Sequence, residues 1–358
     1  MPDLANKQAI NNSTKSLGLI SMDNLPLTIP PVVYVKFSTG RAFGVEMEVN
    51  KKLSLEQLTA IVKKADPKTE CMSSNQYQQD YGNDYWHVKF DRSCGEKIND
   101  GGWEVASYKA SGAEDLVKIS QMAASLREAG AEVNNNCGFH VHVEIADFNT
   151  SQAATIVANW MRIERMMQEI LPKHRRNNVY CRLLTDRFRI GTEEHTPTTF
   201  WAMVRPHSFD NTERRVALNL CNFALSAPNR RTIELRTPEG TLIEKDVKNW
   251  TRLFIHFVND CKKREFPRTL NPCVDLHEAV SVLGLHNEEP FYILSKGLYE
   301  TKIWFLRRIV KYSSVKKLVQ EAESFVNFIK PPENTNLPLT TSRKKHLKEV
   351  MPQRIVSW

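Results

Sequence analysis

Cys137-Gly-Phe-His-Val-His-Val-Glu144 sets Gly138, His140, His142 and Glu144 in alternation with Phe139, Val141 and Val143. Successive side chains of a strand point to opposite faces, so one face of this strand is apolar and the other carries two imidazoles and a carboxylate. A solvated strand face more often holds Thr, Lys or Ser. Two further stretches repeat the pattern. Phe43-Gly-Val-Glu-Met-Glu-Val49 puts Glu46 and Glu48 opposite Val45, Met47 and Val49, and Thr232-Ile-Glu-Leu-Arg236 puts Glu234 and Arg236 opposite Ile233 and Leu235.

Each strand alone reads equally well as the wet side of an ordinary sheet. If the three faces meet in one antiparallel sheet, their carboxylates crowd together, and protons or cations must relieve the repulsion. Carboxylates with imidazole nitrogen suit Mg²⁺ or Mn²⁺ better than a thiolate-seeking metal. Two more strands extend the set. Trp86–Ser93 carries Asp91 and Gly102–Ser107 carries Glu104, with a turn region at Cys94–Gly101 between them.

Composition limits what the chain can be. Its 358 residues allow one large domain or two ordinary ones, and 41% hydrophobic with 25% charged residues is the balance of a soluble globular protein. No run of about 18 apolar residues exists, so no membrane span is expected, and the first residues lack the pattern of a signal peptide. The expected compartment is the cytoplasm. Seven cysteines, spread singly and odd in number, speak against a disulfide scaffold. The net charge of +8 is dispersed over short clusters such as Lys173–Arg176, Arg230–Arg231 and the tail around Arg343–Lys348, a distribution unlike a nucleic-acid-binding stripe.

Residues 1–31 read as an N-terminal arm, residues 32–262 as the catalytic domain, and residues 263–358 as a helical region with a basic tail. Helical periodicity is expected over Leu53–Val62 after Ser54, Ala113–Ala129, Ser151–Leu171, Ile243–Val258, Leu276–Leu283, Glu289–Val310 and Val315–Phe328. Cys71–Asp84 reads as a loop or polar hairpin, Thr192–Asp210 as mostly loop, and Val216–Leu220 as a strand. The segment Lys173–Arg182 follows a helix with guanidinium and amide groups. Arg176 and Asn178 in it could grip a substrate carboxylate or phosphate, or the segment could be a basic surface turn.

Phe-Gly-Val-Glu46-Met-Glu48, Asp91-x-Ser93, Trp-Glu104-Val-Ala-Ser107, Cys-Gly-Phe-His140-Val-His142-Val, Arg-Val-Ala-Leu-Asn219 and Thr-Ile-Glu234-Leu-Arg236-x-x-Glu-Gly-Thr241 together resemble the putative amidoligase family. That family is similar in fold to glutamine synthetase and glutamate–cysteine ligase. The resemblance spans roughly residues 40 to 260, in order, which makes it more specific than any one short motif. It implies an α+β fold: a curved, mainly antiparallel sheet of glutamine synthetase type with packed helices.

By the same resemblance, ATP and two or three Mg²⁺ or Mn²⁺ ions would bind that sheet. The implied metal ligands are Glu46, Glu48, Asp91, Glu104, His140 and Glu234, with His142 near the nucleotide phosphates. Arg231 and Arg236 would hold the transferred phosphoryl group or the carboxylate that receives it. Asp91 stands where relatives often have Glu, one methylene longer, and Tyr108-Lys109 replaces the usual small or proline-rich continuation after the Glu104 strand. The implied activity is an ATP-dependent carboxylate–amine ligation through an acyl phosphate, the partner being an amino acid, an amine, a peptide or a protein. A metal-dependent hydrolase or nuclease, and a silent binding protein of the same fold, are the alternatives.

Overall fold

The computed structural model describes residues 40–75, 84–95, 100–188, 194–226, 231–285 and 296–328. The expected arm at 1–31, most of the polar segment after Ser74, the Ala227–Arg230 connection and the basic tail lie outside the described residues.

Seven strands form one sheet in the order β2-β3-β4-β1-β5-β7-β6. They are β1 (Phe43–Val49), β2 (Cys71–Ser74), β3 (Trp86–Asp91), β4 (Gly102–Ala106), β5 (Phe139–Glu144), β6 (Leu218–Asn219) and β7 (Thr232–Leu235). Every pairing is antiparallel except β2 with β3. The fold is therefore mixed, with a mainly antiparallel open sheet. Phe43, Val45, Met47, Val88, Val105, Phe139, Val141, Val143, Ile233 and Leu235 make its apolar face, each at most 2% exposed.

Helices pack against the sheet and against one another. They are α1 (Leu55–Ala65), α2 (Gly112–Glu128), α3 (Thr150–Glu169), α4 (Leu184–Arg187), α5 (Pro197–Val204), α6 (Asn211–Arg214), α7 (Cys221–Leu225), α8 (Glu244–Cys261), α9 (Leu276–Val282), α10 (Lys296–Tyr312) and α11 (Lys316–Phe328). Their limits follow local chemistry. Ser54 with Gln57, and Asn149 with Gln152, form capping boxes that satisfy the free N–H groups at the starts of α1 and α3. Gly130, at φ 94°, turns the chain out of α2 in the left-handed region that a side chain disfavours.

Three segments differ from expectation. Cys71–Ser74 is neither loop nor hairpin: it adds a parallel edge strand, and its four residues bury only Cys71, too little for a period-two pattern to show. Within the expected loop Thr192–Asp210, Thr196 caps α5 and Pro197 sits at its first turn, while Phe200 and Val204, four residues apart, bury together. The strand expected over Val216–Leu220 shortens to Leu218–Asn219, Leu220 becoming the N-cap of α7 while the Asn219 side chain accepts the Cys221 N–H at 2.9 Å.

The C-terminal helices pack on the same body. Trp304 of α10 meets Trp250 of α8 edge-on at 4.9 Å between centroids and donates to Asp246 at 2.7 Å. Arg308 donates to the Ile170 carbonyl at 2.9 Å and pairs with Glu239 in the loop after β7. Among the described residues, no helix is long and apolar enough to cross a membrane.

One buried carboxylate ties α3 to α4. Glu164, fully shielded from solvent, accepts from Trp160 Nε1 at 3.2 Å, Leu184 N at 2.8 Å, Thr185 N at 2.9 Å and Thr185 Oγ1 at 3.0 Å. Glu164→Ala strands four donors, and we expect a loss of about 3 kcal/mol in urea unfolding. An unchanged midpoint would show that the network contributes nothing.

Candidate active site

Register builds the opposite, polar face in three rows. Lys89, Glu104 and Glu48 lie side by side across β3, β4 and β1. His87, Ala106, Glu46 and His140 form the next row, across β3, β4, β1 and β5. Gly44, His142, Glu234 and Asn219 form the third, across β1, β5, β7 and β6. Glu48, Glu104, His140, Glu234 and Asn219 are all buried on this face.

Among the described residues, two groups of possible metal ligands emerge. Glu46, His142 and Glu234 each offer an atom within 4.8 Å of the others, as do Glu48, Asp91 and Cys94. In the first, His142 Nε2 stands 3.1 Å from Glu46 Oε1 and 4.0 Å from Glu234 Oε1. His140 lies beneath, its Nδ1 2.9 Å from Glu46 Oε2 and 3.5 Å from Glu234 Oε1, its Nε2 3.5 Å from Glu48 Oε1. His142 thus joins Glu46 and Glu234 in a three-ligand group, while His140, the metal ligand that the resemblance implies, reaches the same Glu46 and Glu234 within 3.5 Å. The two differ in depth: the His140 ring is enclosed by three carboxylates, whereas His142 stands nearer the open end of the face.

Glu104 belongs to neither group. Its Oε1 is held by Lys89 Nζ at 2.7 Å. Asp91 spends one oxygen locally, Oδ1 accepting from Ser93 N and Ser93 Oγ at 2.6 Å each. Arg236 pairs with Glu234 and donates from Nε to the Tyr180 carbonyl at 3.3 Å, while Asn219 donates to Glu234 Oε2 at 2.7 Å.

The other three expected residues stand apart. The Arg231 guanidinium lies over the Phe223 ring at 5.7 Å, and Arg231 precedes β7 out of step with Glu234 and Arg236. Arg176 donates to the Leu171 carbonyl at 3.0 Å and to the Tyr312 carbonyl, anchoring the end of α10. Asn178 accepts from Tyr180 N at 2.8 Å, a local turn. Its neighbour Arg175 is the buried one, 1% exposed, donating to the main-chain carbonyls of Arg236 at 2.8 Å and Thr237 at 3.3 Å. A Cβ on Gly138 would come within 2.7 Å of both Arg175 Nη2 and His140 Nε2, so only glycine admits the two together. Lys89, Arg175 and Cys94 are the residues that sequence reasoning missed. Lys89 alone carried a signal, sharing the parity of Asp91.

Electrostatics sort the carboxylates. Burial acts to raise Glu46, but the charge of His142 and hydrogen bonds from His140 and His142 hold it well below the usual carboxylate range. Burial likewise opposes ionisation of Glu234, yet Arg236 and then His142 bring it down to about 2. Burial first, and Asp91 second, push Glu48 up to about 8, and burial with Glu46 pushes Glu104 to about 8. His142 is disfavoured as a cation by burial but raised to about 9 by Glu46 and Glu234, whereas burial and Arg236 lower His140. Buried acids that repel one another are what a divalent cation would relieve, and the oxygen and imidazole donors of the first group fit Mg²⁺ or Mn²⁺.

The profile of a family described as putative amidoligase enzyme matches residues 39–258. No curated protein matches the sequence. Among solved structures, the chain is similar to one described as apo GmaS without ligand, at 11% identity and a TM-score of 0.31, covering 88% of this chain and 72% of that one. It is also similar to Plasmodium falciparum glutamine synthetase, at 14% identity and a TM-score of 0.32, covering 80% of this chain and 71% of that one.

Proposed function

The chain belongs to the putative amidoligase enzyme family, and from that premise we propose that it is an ATP-dependent carboxylate–amine ligase that forms an amide through an acyl phosphate. The observation that carries this reading is the Glu234–Arg236 ion pair beside Glu46 and His142. Carboxylates and an imidazole alone would equally serve a metal-dependent hydrolase. A guanidinium fixed among them adds the planar fork that matches a phosphoryl group or a carboxylate.

A carboxylate is a poor acyl donor because oxide would have to leave. Transfer of the γ-phosphoryl group to it supplies a better leaving group, and an amine nitrogen then attacks the carbonyl carbon as phosphate departs. Mg²⁺ or Mn²⁺ would draw charge from the triphosphate oxygens. Glu46, His142 and Glu234 would hold one ion, and Glu48 and Asp91 would hold another. Arg236 would face the equatorial oxygens of the transferred group, oriented by Glu234 and the Tyr180 carbonyl. Arg175 would keep the chain after β7 in place through its two main-chain bonds, acting by positioning. Residues 32–262 would form this catalytic unit, with the later helices packed upon it. The amine would be an amino acid, an amine, a peptide or a protein, and the compartment the cytoplasm.

Hydroxylamine replaces an unknown amine as a small nucleophile, so hydroxamate should accumulate with ADP and phosphate when the right carboxylate is supplied. The assay is run over a panel of amino acids and peptides. Cleavage of a phosphodiester with metal alone, without hydroxamate from any carboxylate, would replace the ligase with a hydrolase.

A further inference from the structure

The polar face carries a buried carboxylate, Glu104, that neither three-ligand group employs, and that carboxylate already has a cation. Lys89 and Glu104 are direct cross-strand partners, and opposite charges at such positions attract. Their side chains are only 11% and 5% exposed, with Nζ 2.7 Å from Oε1. A carboxylate so far removed from water needs an opposite charge close by. Neither three-ligand group among the described residues includes Glu104.

We propose that Lys89 is a built-in cation that occupies Glu104 in place of a divalent ion, so that this face binds two ions and excludes a third. This rests on the metal-binding reading given above. The ammonium and a divalent ion cannot both approach Glu104 Oε1, because two cations about 3 Å apart repel strongly where water is scarce. The acidic row therefore keeps one positive charge that does not depend on the concentration of free metal. A mere cross-strand ion pair would change stability when broken, without changing how many ions bind.

Counting ions decides between these without ATP or turnover. Metal-free protein is titrated with Mn²⁺, and free ion is read by electron paramagnetic resonance. The wild type should take up two ions at saturation and Lys89→Met three, because the mutation leaves Glu104 open to the metal. Glu104→Gln should still bind two, since Glu104 is no ligand in the wild type. That arm serves even if Lys89→Met fails to fold, as judged by near-ultraviolet circular dichroism. Three ions in the wild type, an unchanged count of two in folded Lys89→Met, or the loss of one ion in Glu104→Gln would each overturn the proposal while leaving the metal site standing. Uptake of no ion by the wild type would bring down the metal reading, and this inference with it.

Discussion

Glu46→Gln should lower turnover by about a thousandfold, equivalent to about 4 kcal/mol of lost transition-state stabilisation, and should weaken Mn²⁺ binding in parallel. Glutamine keeps the shape of the side chain and removes its charge. In the wild type Glu46 Oε1 meets His142 and Oε2 meets His140, so one carboxylate orients both imidazoles and contributes an atom to the first ligand group. The natural control is Glu144→Gln, farther along β5, where Glu144 pairs with Lys109 at the surface at 2.7 Å. Exposed pairs contribute about 0–1 kcal/mol, so that variant should behave as wild type. Near-normal ADP formation by Glu46→Gln, with Mn²⁺ affinity intact, would remove Glu46 from the machinery.

The second large effect is expected at Arg236. Arg236→Lys preserves a positive charge beside Glu234, but an ammonium cannot span Glu234 and the Tyr180 carbonyl with one rigid fork. Turnover should fall by about 10³-fold, the lower end of the range by which guanidinium groups assist phosphoryl transfer. Mn²⁺ affinity should change little, since the charge next to Glu234 remains. Steady-state kinetics with a parallel Mn²⁺ titration separates the two. If kcat holds while only the metal affinity drops, Arg236 serves Glu234 and never meets the reacting group.

The strands of the site were legible because alternation with period two survives any arrangement of the sheet. Spacing alone set Glu46 with Glu48, His140 with His142, and Glu234 with Arg236 on the polar side of their strands, and it marked α1 after Ser54 and α3 from its apolar period. What escaped depended on register. Nothing in Trp86–Asp91 says that Lys89 will lie opposite Glu104; that follows only once β3 and β4 have paired. Lys173–Arg182 has no period to read, so the choice between Arg175 and its neighbour Arg176 fell to a loop conformation that spacing does not determine. Arg175 turned inward and Arg176 turned to the Tyr312 carbonyl. The roles of the two histidines likewise hinge on depth within the face, which alternation does not encode.

Trp304 and Arg308 bear on where this protein can be cut and rejoined. The family profile ends at residue 258, yet Trp250 and Asp246 on α8, and Glu239 just beyond β7, are completed by side chains that arrive more than forty residues later. The edge of the recognisable pattern is thus no seam of modularity. In any exchange between relatives, the helix bearing Trp304 and Arg308 would have to travel with α8 as one inherited cassette.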